Sequence, residues 1–371
     1  MRTTSRRTEA ETSLSELMQM RLQSLRVLFI GCPGRSSRST MAVRAMTDLG
    51  LDVKAIPSEV VDENGERLYF DDLVFQVMNK LGFPPDRCGA TGLALDAIES
   101  SDFDVLWVSK SLGLRPQVLE AARKKNPWVK LVFHSEDDMF ARHNQSAWFR
   151  RALPLYDVVF THKSYNANPA ELPALGARKV VMIDKCYDQE VHRPVEVTGK
   201  ERERLGSRVG FIGTFEEERA QTMLRLAQAG IEVRVWGNHW QGWEDRHPNL
   251  RVEGRALIGS DYVKAICSTD INLGFLRRQN RDLQTDRSLE IPACAALMLA
   301  ERTDEHTRLF EEGVEAEFFA DFDELLGKIE HYLHAPKERH AIGQRGRQRC
   351  IESGYSFHDR VGSMLRITIG E

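Results

Sequence analysis

Residues Asp282 to Arg302 read DLQTDRSLEIPACAALMLAER, and this stretch decides the expected fold. It begins as a charged loop, continues as a small-residue helical turn from Ile291 to Ala296, and ends in an apolar run that reaches Ala300. A polar loop that enters a helix and then a buried strand is typical of a ligand crevice in an α/β sheet. The stretch therefore predicts that its charged side chains face a ligand.

Two acids and an arginine in this stretch have the chemistry of a nucleotide site. Asp282 and Glu290 are separated by seven residues, and Arg287 lies three residues before Glu290, so the latter two share a face if the segment is helical. A carboxylate can accept hydrogen bonds from ribose hydroxyls, and an arginine can bind phosphate through two parallel hydrogen bonds. A solvated charged loop before a core helix shows the same pattern, so spacing alone leaves both interpretations open.

The stretch resembles the nucleotide-sugar site of GT-B glycosyltransferases, in particular the spore-maturation-type (CgeB-like) group, which is related to the retaining group-1 families. That group carries a T-x-R-x-[FL]-E-I-P-A-[CS]-G-A segment. The matching residues here are Thr285, Arg287, Leu289, Glu290, Ile291, Pro292, Ala293, Cys294, Ala295 and Ala296. The wider families carry two glutamates with seven residues between them, and Glu290 stands at the second, ribose-binding position. Asp282 stands at the first glutamate position, and its side chain is one methylene shorter than that of glutamate. Ala295 stands where the family usually has glycine.

A second set of residues in the C-terminal half carries the same resemblance. Similar proteins have F-x-G-x-x-x-x-x-R and Y-G-x-x-W segments, which match Gly213, Arg219, Gly237 and Trp240. The resemblance implies that these residues, together with Thr214, bind the donor. From the residues alone, Gly237 and Trp240 either hold a base by backbone contact and stacking or form a turn beside a core tryptophan.

The N-terminal half opens with a strand, RVLFIG, followed by a glycine-containing loop and a helix. The loop lacks the G-x-G-x-x-G pattern and the lysine of a phosphate-binding P-loop, so it gives little support for a dinucleotide. It is either a tight turn or one wall of a ligand site. In the second interpretation Gly34, Arg35 and Ser36 form an acceptor-side loop.

His134 ends a predicted strand, KLVFH, at the edge where parallel sheets bind ligands. Imidazole titrates near neutral pH, so His134 is a candidate for acid–base work or for holding a hydroxyl, with a structural histidine as the alternative. Glu136, Asp137 and Asp138 follow, and they resemble a metal-binding acidic motif. No ligand set of matching spacing occurs elsewhere, and consecutive acids often cap a helix, so we predict no metal site.

The composition excludes several classes of protein. A chain of 371 residues, 42% hydrophobic and 29% charged, is typical of a soluble protein with about two domains. The net charge of −4 gives no support for a nucleic-acid partner. No apolar run approaches the roughly 18 residues of a membrane span, and the N-terminus lacks the apolar core of a signal peptide. Six scattered cysteines without a C-x-x-C pair favour a reducing, cytoplasmic setting.

Strand-like runs alternate with helical patterns in both halves, which predicts parallel sheets covered on both faces. The expected fold is therefore α/β, with two Rossmann-like domains facing across a cleft and a C-terminal helix packing across both domains. The expected segments are a mobile tail over 1–21, an acceptor-side domain over 22–184, a linker over 185–200, a nucleotide-sugar domain over 201–354 and a closing helix over 355–371.

The resemblance covers roughly residues 25–365 and implies a glycosyltransferase of polysaccharide biosynthesis. The donor would be a nucleotide-diphosphate sugar, and the acceptor a hydroxyl of a glycan, a lipid-linked molecule or a protein. The implied reaction retains the anomeric configuration and needs no cofactor. Arginines and helix N-termini would carry the diphosphate charge without a metal. His134 and Asp282 are the expected catalytic residues.

Two alternatives to transfer stay open at this point. A GT-B-fold epimerase of nucleotide sugars would also need a nucleotide site and acid–base groups, and a catalytically degenerate protein would bind the nucleotide sugar without turnover. Three arginines in the N-terminal tail are too few for stable lipid anchoring, so the sequence predicts at most peripheral contact with a membrane.

Overall fold

The computed structural model describes residues 22–34, 37–63, 65–68 and 72–370. The described residues form two compact units, one that runs to Ile183 and resumes at Phe357, and one over Asp184–Ser356. Each unit contains a six-stranded parallel sheet, which confirms the expected α/β fold with two Rossmann-like domains. The predicted tail over 1–21 and the loop residues Arg35 and Ser36 lie outside the described residues.

The sheet of the first unit has the strand order β2-β1-β3-β4-β5-β6. Its strands are β1 Arg26–Gly31, β2 Asp52–Pro57, β3 Val105–Ser109, β4 Lys130–Ser135, β5 Val158–Thr161 and β6 Val180–Met182. The helices of this unit are Arg38–Asp48, Leu73–Lys80, Ala90–Ser100, Gln117–Lys125, Ala147–Ala152 and Phe357–Ile369. Strands β1, β3 and β4 are apolar runs because helices cover both faces of the sheet, and Trp107 at the centre of β3 is fully buried.

The sheet of the second unit has the strand order β12-β11-β10-β7-β8-β9. Its strands are β7 Ser207–Ile212, β8 Val233–Trp236, β9 Leu250–Val252, β10 Thr269–Gly274, β11 Met298–Glu301 and β12 Glu317–Phe319. Its helices are Gly199–Leu205, Glu217–Gln228, Gly259–Ser268, Arg287–Ala293, Asp304–Leu309, Phe322–His334 and Pro336–Glu352. The strand order reverses once in each sheet, between β1 and β3 in the first and between β7 and β10 in the second. Ligands of such sheets bind at the carboxyl ends of the strands on either side of the reversal.

Residues 185–200, expected to be a linker, belong to the second unit. Tyr187 forms an isolated bridge with Ser356, and Tyr187 and His192 are both buried. The C-terminal helix Phe357–Ile369 belongs to the first unit, where Nε2 of His358 lies 2.9 Å from a carboxylate oxygen of Asp48. No helix in the described ranges is long and apolar enough to cross a membrane.

Candidate functional site

The stretch from Asp282 to Arg302 folds in the expected order of loop, helix and strand. The helix spans Arg287–Ala293, and every residue of it after Arg287 is buried. It begins four residues earlier than the small-residue turn suggested. One reason is that the Thr285 N–H donates to the hydroxyl of Ser288 at 2.9 Å and closes a turn just before the first helical residue. Arg287 and Glu290 therefore share one helix, as their spacing requires.

Two arginines of the second unit have buried N–H groups without an acceptor. The Nε atoms of Arg219 and Arg287 make no hydrogen bond within the described part of the chain. Arg219 is 5% exposed, and its Nη1 donates to the carbonyl of Thr214 at 3.1 Å. Burial lowers the pKa of Arg219, and the nearby charge of Arg287 lowers it further. Oε2 of Glu216 lies 3.4 Å from Nη2 of Arg219, while the two Nε–H groups are donors that an anion would satisfy.

Arg219 also lines a cavity of about 380 Å³ at the carboxyl ends of β10, β11 and β12. Asp282 lies in the wall of the same cavity, where its Oδ1 accepts a hydrogen bond from the Asn280 amide at 2.9 Å. Glu301 lies there as well, and burial raises the pKa of its carboxyl. Arg219 and Asp282 thus line one polar cavity, near the point where the strand order reverses between β7 and β10. Both residues were predicted to belong to the nucleotide-sugar site.

Glu290 is held by two side chains that the sequence analysis missed. The Tyr262 hydroxyl donates to Oε2 of Glu290 at 2.5 Å, and Nε2 of His192 lies 3.6 Å from Oε1. Burial, and then the charge of Glu290, raises the pKa of Tyr262 well above its usual value, while the charge of Arg287 acts in the opposite direction. The charge of Arg287 thus acts on both Tyr262 and Arg219. Glu290 is 8% exposed, so little of its surface is accessible.

Ser288 and His306 form a buried chain of hydrogen bonds behind the loop. The Ser288 hydroxyl lies 2.7 Å from Nε2 of His306, and Nδ1 of His306 lies 2.7 Å from the carbonyl of Glu301. The carbonyl can only accept, so Nδ1 carries the proton and Nε2 accepts from Ser288. Burial lowers the pKa of His306 to about 4, so it is neutral near pH 7. Thr285, an expected donor-binding residue, is 8% exposed and is held by Ser288.

Gln284 fixes the start of the same loop and was also missed. Its side chain is fully buried, accepts from the backbone N–H of Lys185 at 2.9 Å, and donates to Asp184 at 2.9 Å and to Glu305 at 2.7 Å. Nζ of Lys185 lies 3.3 Å from Asp286. The loop before the helix Arg287–Ala293 is therefore held by hydrogen bonds and an ion pair to the first residues of the second unit, which lie about 100 positions earlier in the sequence.

Of the two interpretations of Trp240, the structure agrees with a core tryptophan beside a turn and not with the donor-binding residue that the resemblance implied. It is fully buried, and its indole N–H donates to the carbonyl of Gly213 at 2.9 Å. Phe211 and Phe215 contact it edge-on. A buried ring cannot present a face to a base, so Trp240 supports the loop after β7 instead. A Cβ at Gly237 would lie 1.8 Å from the Gly213 carbonyl oxygen, so Gly237 is required by backbone packing.

The first unit contains a second polar cavity, of about 390 Å³, at the carboxyl ends of β1, β3 and β4. Gly34 and His134 both line it, as the sequence suggested for an acceptor-side site. His134 is 6% exposed, and its Nε2 lies 2.9 Å from Nε2 of His162. Lys110 lines the cavity with φ of 29°, an unusual backbone conformation for a lysine.

The three consecutive acids after His134 have three separate partners. Glu136 lies 3.6 Å from Nε of Arg38, and Asp137 pairs with Lys110. Asp138 is buried and accepts from the Asn166 amide at 2.8 Å. Their carboxylates do not converge, and no group of three or more His, Cys, Asp or Glu side chains in the described ranges could hold a metal ion.

Residues 218–366 match the model of a protein family described as glycosyl transferase-like. The matched segment contains Arg219, Asp282, Arg287 and Glu290. A search of curated proteins finds no match.

The structure is similar to solved structures along nearly its full length. A glycosyltransferase from Rickettsia africae has a TM-score of 0.62 at 12% identity, with 93% of this chain and 98% of that chain covered. Sucrose-phosphate synthase from Thermosynechococcus elongatus has a TM-score of 0.60 at 12% identity, with 92% and 98% covered. HepE of Anabaena, solved with UDP-glucose, has a TM-score of 0.59 at 12% identity, with 92% and 100% covered. These similarities confirm the expected GT-B type of fold, while membership in the CgeB-like group stays a prediction.

Proposed function

We propose that this protein is a glycosyltransferase that moves a sugar from a nucleotide-diphosphate sugar to an acceptor hydroxyl. The observation that carries the proposal is the pair of buried, unsatisfied Nε–H groups on Arg219 and Arg287. Both arginines fall within the segment that matches the glycosyl transferase-like family model. The similarity to HepE, which was solved with UDP-glucose, makes UDP-glucose the first donor to test.

The chemistry of transfer explains why two arginines would be needed. The bond between the anomeric carbon and the diphosphate breaks, and negative charge develops on the leaving diphosphate. Guanidinium groups that are fixed in place before the reaction stabilise that charge at little cost in reorganisation. Arg219 and Arg287 are partly shielded from water, which strengthens their attraction for the anion. Because these charges are already present, the proposed reaction uses neither a divalent metal nor a cofactor.

Asp282 and Glu290 complete the proposed donor site on the second unit. Asp282 lines the same cavity as Arg219, which supports the assignment of its carboxylate to the sugar hydroxyls. Glu290 is held by Tyr262 and His192, and we assign it to the ribose hydroxyls. A carboxylate has about four lone-pair positions, so it can bind ribose while it keeps these two partners.

The first unit would bind the acceptor in the cavity lined by Gly34 and His134. An acceptor hydroxyl must lose its proton as the new glycosidic bond forms, and imidazole is a suitable base near neutral pH. We further propose that the anomeric configuration is retained, and that the acceptor is a glycan, a lipid-linked molecule or a protein.

Calorimetric titration of UDP into the purified full-length protein tests the donor site. Arg287→Gln removes one guanidinium, and we expect UDP to bind about tenfold more weakly or worse, the scale of a hydrogen bond to a charged group. Arg251→Gln is the matched control, because Arg251 is a largely exposed arginine of the same unit. Equal affinity in the Arg287 variant and the wild type would reject the anion site.

A further inference from the structure

We propose that His162 is a positioning residue for His134, and that the two imidazoles take up a single proton as a pair. The part that concerns catalysis rests on the proposed function, because it assumes that His134 acts at the substrate. The part that concerns titration depends only on the first unit.

The two histidines lie at the carboxyl ends of neighbouring strands. His134 is the fifth residue of β4, and His162 directly follows the last residue of β5. In the parallel register His134 lies opposite Phe160, so the two imidazoles meet where the sheet ends. Their ring centroids are 5.1 Å apart and the rings are inclined by 60°. His134 lines the cavity of the first unit, whereas His162 is 2% exposed and does not line it.

The distance between the two Nε2 atoms limits how many protons the pair can hold. At 2.9 Å, one Nε2 must carry a hydrogen and the other must accept it. In the neutral pair, the donating ring has a bare Nδ1, and that atom can receive one additional proton while the hydrogen bond persists. A second proton would place hydrogens on both Nε2 atoms and would bring two positive charges together. The hydrogen-bonded pair therefore has a position for one additional proton and resists a second.

Charged side chains of both signs line the cavity that His134 lines. The charged residues that line the same cavity as His134 are Arg38, Glu59, Glu66, Arg67, Lys110, Glu136 and Asp137, and Lys163 follows His162 in the sequence. Glu136 lies near the pair, with Oε1 at 3.9 Å from Nε2 of His162, and the same oxygen lies 3.6 Å from Arg38. Lys110 is paired with Asp137, and Asp138 accepts from an amide. From the C-terminal helix, Phe357 presents its ring to Arg38, and the same helix carries His358, Asp359 and Arg360.

The hydrogen bond also fixes the orientation of the His134 ring. Trp107 contacts His134 edge-on on one side, and His162 holds Nε2. A ring that is fixed through Nε2 can exchange its catalytic proton only at Nδ1. His162 would then set both the tautomer and the position of the group that handles the acceptor proton.

Nuclear magnetic resonance of the full-length protein with ¹⁵N-labelled histidine tests the shared proton. The chain has 11 histidines, and the variants His134→Gln and His162→Gln assign the two signals. In the wild type we expect one of the two rings to gain a proton as the pH falls to about 5, while the other stays neutral. In His162→Gln we expect the His134 midpoint to shift by about half a pH unit or more. Independent protonation of both rings, or an unshifted His134 midpoint, would overturn the proposal.

Consumption of UDP-glucose in the presence of candidate acceptors tests the positioning role. His162→Gln keeps a hydrogen-bonding partner for His134, so we expect kcat to stay close to wild type while the acidic limb of its pH profile moves. His162→Phe keeps a ring but removes the hydrogen bond, and we expect kcat to fall about tenfold or more with KM for UDP-glucose unchanged. His331→Gln is the control, because His331 is exposed and lies in the other unit.

The two arms separate failure of the inference from failure of the proposed function. Coupled titration with no UDP-glucose turnover would keep the proton-sharing pair and reject the transferase. Turnover with equal kcat and an equal pH profile in all three His162 forms would keep the transferase and reject the role of His162. If His162→Phe does not fold, the pH profile and the His134 midpoint in His162→Gln decide the question.

Discussion

At the scale of single residues, the candidate donor site depends on side chains that are held by other groups of the protein. Glu290 is fixed between Tyr262 and His192, and Arg219 is bonded to the carbonyl of Thr214. Groups held in this way lose little conformational freedom when a ligand binds, so more of the interaction energy appears as affinity. Substitution of Glu290 tests this most simply.

We predict that Glu290→Gln keeps the fold and weakens UDP binding by roughly 1–3 kcal/mol, the scale for hydrogen bonds to a charged group. Glutamine has a similar shape but one fewer strong acceptor and no charge. Calorimetry with UDP measures the effect, and Tyr262→Phe should cause a smaller loss because it leaves the carboxylate in place. An unchanged Kd in Glu290→Gln would remove Glu290 from the ribose site.

His306 should make the stability of the protein depend on pH in the acidic range. Its pKa is lowered to about 4 by burial, whereas in the unfolded chain it returns to about 6.5. Between these values the unfolded chain binds a proton that the folded chain does not bind, so stability decreases as the pH falls from about 6.5 to 4. The loss is roughly 3 kcal/mol by linkage, and it is absent above pH 7.

Denaturant unfolding of wild type and His306→Gln at several pH values tests this assignment. The variant should lose stability at every pH through its broken hydrogen bonds, but the difference between the two proteins should shrink by roughly 3 kcal/mol from pH 7 to pH 4. His331→Gln should show no such change, because His331 is exposed. A constant difference between wild type and His306→Gln across the range would contradict the prediction.

At the scale of elements, the helix Arg287–Ala293 ends in a turn that its sequence does not favour. Ala295 has φ of 57°, which is a left-handed conformation. The Ala295 N–H donates to the carbonyl of Pro292 at 2.8 Å, and the Ala296 N–H donates to the carbonyl of Ile291 at 3.4 Å. This is the pattern of a Schellman motif, in which glycine is the usual residue at the left-handed position. A Cβ at Gly343 would lie 2.4 Å from the Ala295 carbonyl, so the turn is closely packed.

We predict that Ala295→Gly stabilises the protein by about 1 kcal/mol, because an alanine is strained in the left-handed conformation and a glycine is not. Thermal unfolding would show the change as a higher Tm. Ala229→Gly is the control, since Ala229 also ends a helix but has φ of −76°, and we expect it to lower Tm slightly. A lower Tm in Ala295→Gly would show that the turn is not strained.

The same element shows how far sequence reasoning reaches. The order of loop, helix and strand from Asp282 to Arg302 was predicted because each element has its own composition. The loop is charged, the helix contains small residues, and the strand is apolar. The start of the helix was missed because it depends on the bond between Thr285 and Ser288. The two interpretations of Trp240 could not be separated because a glycine followed by an aromatic residue does not reveal which way the ring points. Tyr262 and His192 were missed because contacts between distant positions leave no local pattern.

At the scale of the whole molecule, each unit places its polar cavity where the strand order of its sheet reverses. The cavity of the first unit includes Cys32 after β1 and Ser109 at the end of β3. The cavity of the second unit includes Glu216 after β7 and Phe275 after β10. Loops on the two sides of a reversal diverge and leave a crevice, so the topology itself positions both sites. The alternation of strands and helices predicted this architecture.

The role of the polar segment 185–200 was harder to predict than the architecture of the units. Residues 185–200 are polar and contain Pro194, which is the pattern of a linker, yet Tyr187 and His192 are buried in the second unit. Burial of these side chains depends on partners such as Ser356 and Glu290, which lie far along the chain. Composition therefore predicts where a chain is polar but not which polar segments pack onto a domain.

A crystal structure of the protein with UDP tests the central claim most directly. The account predicts that the diphosphate accepts hydrogen bonds from the buried Nε–H groups of Arg219 and Arg287, and that the ribose hydroxyls bind Glu290. A diphosphate bound instead on the loop after β1, beside Gly34, would contradict the assignment of the donor to the second unit.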